Sequence, residues 1–280
     1  MSGTLPPGAC DTHCHVFGPQ SRFAYAANRT YTPQEAPREA LFALHRAHGL
    51  DRAVIVQPAV HGTDNRVTLD AIAASGNAYR GIALVPQDVT PAALDALHAG
   101  GIRGVRFNFL SHIAAPPPER TVQRIAELVA PLGWHILLHL TPADLGTAWN
   151  YMKPLAISFI VDYMARINTA DGLDQPGFRL LLDIAADARC WVKISGADRA
   201  SAAGAPFEDV LAFSRALLEA APDRILWGTD WPHPNIKGPM PLESDLLALL
   251  RKAAPEPALL QQVLVDNPNR LYRFDVPLNT

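Results

Sequence analysis

Short apolar runs alternate with longer segments of helical periodicity along most of this chain. Runs rich in Val, Ile and Leu are typical of parallel strands that are buried on both faces. Eight such runs predict strands at residues 9–17, 53–57, 80–85, 104–108, 135–140, 158–162, 191–195 and 225–230.

Apolar positions at helical spacing indicate helices between most of these strands. Several of the helices begin beside a proline, which suits the first helical position. We predict helices at residues 37–48, 64–75, 90–98, 118–131, 206–221, 242–253 and 261–271, and residues 144–155 form either a short helix or an irregular connection.

Eight strands with intervening crossovers predict a single (β/α)8 TIM barrel over residues 1–280, of α/β class. A doubly wound sheet shares the alternation, but no Gly-rich phosphate loop follows the first strand. The long polar and aromatic segment 18–37 follows the first strand, so we expect it over the catalytic face of the barrel.

Composition narrows the class of protein. The formal net charge of −3 argues against a nucleic-acid binder, and no apolar stretch is long enough to span a membrane. The odd number of cysteines, three, does not suggest a set of paired disulfide bonds and suits a reducing compartment. No signal peptide is visible, so we expect a cytoplasmic protein. We also expect a monomer or homodimer.

Catalytic residues of a barrel lie at the carboxyl ends of its strands. His13 and His15 alternate with Cys14, so their side chains point the same way and could serve a metal or a polarised carbonyl. A satisfied polar pair is the competing interpretation. Asp230 ends the eighth strand, where it could be a general base, a metal ligand or a turn residue.

Several longer motifs together resemble a known family. The chain is similar to the amidohydrolase superfamily (amidohydrolase-related family 2), and within it to the 2-pyrone-4,6-dicarboxylate hydrolase-like lactonases. The resemblance covers nearly the whole chain and rests on residues 11–19, 61–65, 104–108, 162–166, 193–199 and 227–233.

The resemblance implies roles for individual residues. Asp230 would activate water, with His13 and His15 around the carbonyl under attack. Side chains that would contact the carboxylated substrate are Arg106, Arg166, Arg199, Tyr31 and Thr63, and His112 stands where an additional arginine is expected. A planar guanidinium can make two parallel hydrogen bonds to a carboxylate, which agrees with the arginine assignments.

The sixth strand departs from the family pattern. It ends in Asp162-Tyr163 where family members carry Asp-His, and the fifth strand ends in His139 where the lactonases carry a tyrosine. The two changes suggest an exchange of imidazole and hydroxyl between strands, which keeps Tyr163 and His139 among the predicted catalytic residues. A phenol is a poor metal ligand at neutral pH.

Three explanations of this departure stay open. The favoured one is a related lactonase with a different substrate and no cofactor. The second is a mononuclear zinc held by His13, His15, His139 and Asp230, and the third is a substitution that lowers activity.

These interpretations predict different functions. The leading one is a hydrolase that opens a small carboxylated lactone, similar to 2-pyrone-4,6-dicarboxylate or a muconolactone, in the degradation of aromatic compounds. The alternatives are a zinc-dependent decarboxylase of an aromatic or enoic acid, and an inactive barrel that binds a carboxylated ligand. In each case the partner is a small anionic molecule.

Overall fold

Eight parallel strands form one sheet in the order β1 to β8, with helices in the connections. The structure, a computed structural model, describes residues 4–113, 115–236 and 238–274. The strands are β1 Cys10–Cys14, β2 Arg52–Val56, β3 Tyr79–Ala83, β4 Ile102–Asn108, β5 His135–His139, β6 Phe159–Val161, β7 Cys190–Lys193 and β8 Ile225–Leu226. The predicted TIM barrel is confirmed.

Helices follow the strands along the chain. They are α1 Arg38–His48, α2 Arg66–Ala74, α3 Pro91–Ala99, α4 Glu119–Val129, α5 Pro142–Met152, α6 Pro176–Ala185, α7 Ala197–Ala200, α8 Leu211–Ala220, α9 Glu243–Ala253, α10 Pro257–Gln261 and α11 Asn267–Tyr272. A π-helical turn, Gln262–Asp266, joins the last two. None of the helices in the described residues has the length and apolar character that crossing a bilayer requires.

Two parts of the prediction need correction. Residues 144–152 belong to the regular helix α5, which begins with a Thr141–Asp144 capping box, and residues 153–155 follow its end. Helix α6 was not predicted, although Phe178, Leu181 and Ile184 are buried at helical spacing after Gln175-Pro176.

Backbone hydrogen bonds between β1 and the segment after β8 close the barrel. Thr12 N donates to Trp227 O at 3.0 Å, and Asp230 N donates to His13 O at 2.7 Å. Gly228 makes this approach possible, because a Cβ atom there would lie 2.3 Å from His13 N. The eighth strand is therefore shorter than predicted, since its last residues bend against β1.

Alternate residues of the strands face two cores. Along β2, Val54 and Val56 pack inside the barrel, whereas Ala53 and Ile55 pack against the helices. This alternation explains why the strands read as continuous apolar runs. The three cysteines are buried and free, as expected of small apolar side chains.

Candidate active site

A pocket opens at the carboxyl ends of the strands, and basic and aromatic side chains surround it. Its described lining consists of His15, Tyr31, Pro58, Ala59, Arg106, Asn108, His112, Ile113, His139, Tyr163, Arg166, Arg199, Pro234 and Asn235. His13 and Asp230 do not belong to this lining and are fully buried. These two of the five predicted catalytic residues therefore lie behind the pocket wall, whereas His15, His139 and Tyr163 line the pocket.

Tyr163 separates the pocket from these two residues. Its hydroxyl lies 2.8 Å from His13 Nε2 and donates a hydrogen bond of 2.7 Å to Asp230 Oδ1. Burial, followed by the charge of Asp230, raises the pKa of Tyr163 well above its usual value. A protonated phenol thus connects the pocket to the buried carboxylate.

A left-handed backbone segment holds Tyr163 in this position. The residues Tyr163, Met164, Ala165 and Arg166 all have φ between 50° and 57°. None of them is glycine, so this segment costs roughly 1–2 kcal/mol per residue. Gly196 leaves space for the tyrosine ring, because a Cβ at that position would lie 2.4 Å from Tyr163 Cδ1.

Asp230 is enclosed by hydrogen-bond donors. Oδ2 accepts from Arg199 Nη2 at 2.7 Å and Nε at 3.2 Å, while Oδ1 faces Tyr163 and lies 3.4 Å from His15 Nε2. Burial opposes its charge, but Arg199 and the two histidines outweigh it and hold the pKa of Asp230 well below its usual range. Asp230 is therefore a carboxylate at neutral pH.

His13 lies at the centre of a buried polar cluster. Its Nδ1 is 3.2 Å from Lys193 Nζ and 3.0 Å from Asp162 Oδ1. Burial lowers the pKa of His13 to about 4 despite the nearby carboxylate, so the imidazole is neutral near pH 7.

His15 reaches the pocket from the same strand. Its Nδ1 donates to Val56 O at 2.7 Å, because a carbonyl oxygen can only accept. This bond turns Nε2 towards Asp230 and the pocket. The predicted common direction of His13 and His15 is thus present, and their rings lie 5.1 Å apart.

His139 presents an imidazole nitrogen from β5. Its Nδ1 lies 3.0 Å from Asn108 Oδ1, and its buried Nε2 has no hydrogen-bond partner in the described part of the chain. Burial and then the charge of Arg106 lower the pKa of His139 well below its usual value. The exchange suggested by the sequence therefore has a structural counterpart, with a hydroxyl from β6 and an imidazole from β5 in one pocket.

The three predicted arginines differ in their partners. Arg106 pairs with buried Asp162 at 3.3 Å, and Arg199 pairs with Asp230. Arg166 has no hydrogen-bond or ion-pair partner among residues 4–113, 115–236 and 238–274. Burial, then repulsion by Arg199, lowers the pKa of Arg166 against the opposing charges of Asp230 and Asp198. Arg166 is the pocket cation most available to a ligand anion.

Comparisons with known proteins agree with this site. The model of the amidohydrolase family matches residues 10–274 of this chain. This chain belongs to that family.

Two curated relatives of this amidohydrolase are lactone hydrolases by name. A 2-pyrone-4,6-dicarboxylate hydrolase from Comamonas testosteroni is 41% identical over 277 residues, covering 96% of this chain and 91% of the relative. A 4-sulfomuconolactone hydrolase from Rhizobium radiobacter is 41% identical over 275 residues, covering 97% and 92%.

A solved structure shows the same architecture. It is a probable 2-pyrone-4,6-dicarboxylic acid hydrolase from Acinetobacter baumannii with citric acid bound. The TM-score is 0.85 at 25% identity, and the match covers 95% of this amidohydrolase and 99% of that chain.

His13, His15 and Asp230 form a group whose ligand atoms lie close enough to hold a metal ion. Two of these possible ligand atoms, on His13 and Asp230, also take part in hydrogen bonds with Tyr163. His13 Nε2 has one bonding direction, and it points to the Tyr163 hydroxyl, which also occupies Asp230 Oδ1. His139 is not part of this group. The four residues predicted for zinc are therefore not all brought together, and in this arrangement His13 Nε2 and Asp230 Oδ1 both contact the Tyr163 hydroxyl.

The remaining predicted residues divide between pocket and surface. Tyr31 lines the pocket, and burial raises its pKa to about 12, while His112 lies at the exposed rim. The long loop after β1 thus reaches the site as expected. Thr63 is exposed and is not part of the pocket lining, so the structure does not bring it to the site.

Two further contributors to the site lie in the motifs 104–108 and 193–199, but no role was predicted for either. Asn108 orients His139, and Lys193 contacts His13 from below. Both are polar residues at the carboxyl end of an apolar strand, which was the signal used for the others. Their contacts depend on side-chain packing between strands that are far apart in sequence.

Proposed function

We propose that this amidohydrolase opens a small carboxylated lactone by adding water, as a carboxylic-ester hydrolase in the degradation of aromatic compounds. The observation that carries the proposal is the Tyr163 hydroxyl. It joins a basic pocket to the buried carboxylate of Asp230 at 2.7 Å. The names of relatives 41% identical to this chain support the lactone as the substrate class.

Arg166 would bind a carboxylate of the substrate. This pocket guanidinium has no hydrogen-bond or ion-pair partner among the described residues. A planar guanidinium can bind a carboxylate through two parallel hydrogen bonds. Arg106, whose Nε has no hydrogen-bond partner in the described residues, would assist from β4. Tyr31 and His112 would contact the substrate at the mouth of the pocket.

Asp230 would act as general base through Tyr163. Water in the pocket would give a proton to the Tyr163 oxygen as the Tyr163 proton passes to Asp230 Oδ1. The hydroxide would add to the lactone carbonyl. When the ring C–O bond breaks, the proton would return through Tyr163 to the departing oxygen, giving a hydroxy acid or its keto tautomer.

His15 and His139 would orient the reacting groups from either side of Tyr163. His15 Nε2 faces the carboxylate at 3.4 Å, and His139 Nε2 lacks a partner in the described residues. His13 would act on the Tyr163 oxygen rather than on the substrate carbonyl, because it lies outside the pocket lining. No step requires a metal, and we propose that the reaction proceeds without one.

We propose the cytoplasm as the location, supported by three buried free thiols. The oligomeric state, monomer or homodimer, stays a prediction from the sequence.

A panel of carboxylated lactones tests the activity directly. It should include 2-pyrone-4,6-dicarboxylate, a muconolactone and each opened acid. Ring opening consumes water and releases a proton, whereas decarboxylation releases CO2. We expect proton release without CO2 from at least one lactone. CO2 release would support the decarboxylase instead, and ligand-induced stabilisation without turnover would support an inactive binding protein.

A further inference from the structure

A buried lysine lies beneath the candidate active site and contacts no part of the pocket. Lys193 is the last residue of β7, and none of its surface is exposed. Its Nζ donates to Thr12 O at 2.7 Å and lies 3.2 Å from His13 Nδ1. A buried ammonium group is costly unless it is hydrogen-bonded, and these two contacts are its partners among the described residues.

The contact with Lys193 favours one position for the proton of His13. An ammonium group only donates, so in this contact His13 Nδ1 accepts and carries no proton. The single proton of the neutral ring is therefore on Nε2. The pKa of Lys193, lowered by burial to about 8, still leaves the ammonium form predominant at pH 7.

Three hydrogen bonds then run in one direction. Lys193 donates to His13, His13 Nε2 donates to the Tyr163 oxygen at 2.8 Å, and Tyr163 donates to Asp230 Oδ1 at 2.7 Å. Lys193 also donates to Thr12 O, whereas His13 Nε2 and the Tyr163 hydroxyl each have one acceptor in this series. Because His13 Nε2–H is the donor in its hydrogen bond with the Tyr163 oxygen, the single hydroxyl proton of Tyr163 is free to form the hydrogen bond with Asp230.

The opposite tautomer would give Asp162 Oδ1, which lies 3.0 Å from His13 Nδ1, a hydrogen bond, but it conflicts with Lys193 and with Tyr163. Asp162 Oδ2 accepts from Arg106 with either tautomer. A proton on Nδ1 would face the ammonium protons of Lys193 at 3.2 Å. It would also leave the single Tyr163 proton to serve both His13 Nε2 and Asp230 Oδ1.

We propose that Lys193 is a positioning residue that fixes the His13 tautomer and thereby directs the Tyr163 proton onto Asp230. The inference rests on the proposed lactonase function for its consequence in catalysis. As Tyr163 passes its proton to Asp230, negative charge develops on the phenol oxygen. The His13 Nε2–H group, itself polarised by the ammonium of Lys193, stabilises that charge.

The first test requires neither a variant nor a substrate. Long-range 1H–15N NMR on protein labelled with [15N]histidine distinguishes a protonated ring nitrogen from a bare one. His13→Asn identifies the His13 signals among those of the 10 histidines. We expect Nε2 protonated and Nδ1 bare at pH 7. A protonated Nδ1 with a bare Nε2 overturns the proposal, whatever the protein's activity is.

The second test replaces Lys193 by methionine, which keeps the length of the side chain and removes the donor. We expect the His13 proton to move to Nδ1, towards Asp162 Oδ1. We expect kcat on the lactone to fall at least roughly tenfold, with KM changed less than about twofold. Lys252→Met, the same change at an exposed lysine, should leave the spectrum and both constants unchanged.

The two tests separate this inference from the proposed function. An unchanged His13 spectrum in Lys193→Met, or an unchanged kcat, overturns the role of Lys193 while leaving lactone hydrolysis intact. If Lys193→Met does not fold, the wild-type spectrum still decides the tautomer. Absence of turnover on every lactone contradicts the proposed function but not the tautomer.

Discussion

The Tyr163 hydroxyl donates a 2.7 Å hydrogen bond to Asp230 Oδ1 and lies between that carboxylate and the pocket. Asp230 has no exposed surface and both its oxygens are occupied, Oδ2 by Arg199. A water molecule in the pocket therefore meets the phenol first. In the proposed function the tyrosine at this position, which departs from the family motif, connects the substrate to the base.

Replacing Tyr163 by phenylalanine should remove this connection while keeping the ring. We expect kcat to fall by about 10²–10⁴, the range contributed by a positioned acid or base. Asp230 Oδ1 would also lose a buried partner, so the free energy of unfolding should fall by roughly 1–3 kcal/mol. Steady-state kinetics and urea unfolding measure the two effects.

Tyr25→Phe is a matched control, because the Tyr25 hydroxyl has no hydrogen-bond partner in the described residues and lies outside the pocket lining. It should leave kcat unchanged. Full activity in Tyr163→Phe would mean that water reaches Asp230 by another route.

Arg166 provides a test of substrate binding. Arg166→Met removes the pocket cation that has no hydrogen-bond or ion-pair partner among the described residues and that we propose binds a substrate carboxylate. KM should therefore rise by roughly 10–100-fold for a carboxylated lactone. Stability should change little, because Arg166 has no hydrogen-bond or ion-pair partner among the described residues to lose. Arg179→Met, at an exposed guanidinium paired with Asp174, serves as the control. An unchanged KM would exclude Arg166 as the carboxylate site.

We expect Arg199 to control the pH dependence of the proposed base, Asp230. Asp230 acts when deprotonated, so activity is lost as pH falls through its pKa, and that pKa is held well below its usual range. Asp230 should therefore produce no loss of kcat/KM above about pH 4. Arg199→Met removes the main charge that lowers the pKa, and the acidic limb should move to higher pH. A limb that stays in place would contradict the pairing of these residues.

Gly228 links barrel closure to the site. In Gly228→Ala the new methyl group would lie 2.3 Å from His13 N and 2.7 Å from Asp11 Oδ1. The backbone must move, and we expect roughly 1–3 kcal/mol loss of unfolding free energy together with reduced kcat. Gly172→Ala, where a Cβ meets nothing within 4 Å, controls for the substitution itself, although its φ of 72° adds local strain. Comparable kcat in both variants would show that β1 tolerates the displacement.

The barrel could be predicted because its strands are buried on both faces and its helices are amphipathic. Those patterns are local properties of the chain, and each of the eight predicted strands overlaps an observed one. The long loop after β1 was also placed correctly, since Tyr31 lines the pocket. The family resemblance identified most of the residues that surround the pocket.

The arrangement inside the site could not be predicted. That Asp230 and His13 lie behind Tyr163 depends on four consecutive left-handed residues from Tyr163 to Arg166, which no local sequence preference suggests. The pairing of Arg199 with Asp230 depends on a contact between the segments after β7 and β8. Thr63 shows that a motif match can also predict too much. The resemblance predicted a substrate contact for it, but the residue is exposed and does not line the pocket.

The central claim is that this amidohydrolase opens a carboxylated lactone through Tyr163 and Asp230 without a metal. Its most direct test is the rate of ring opening of 2-pyrone-4,6-dicarboxylate before and after exhaustive chelation, with metal analysis of the same samples. The account predicts the same kcat in both samples. Loss of activity on chelation, with recovery at one equivalent of Zn²⁺ per chain, would contradict it.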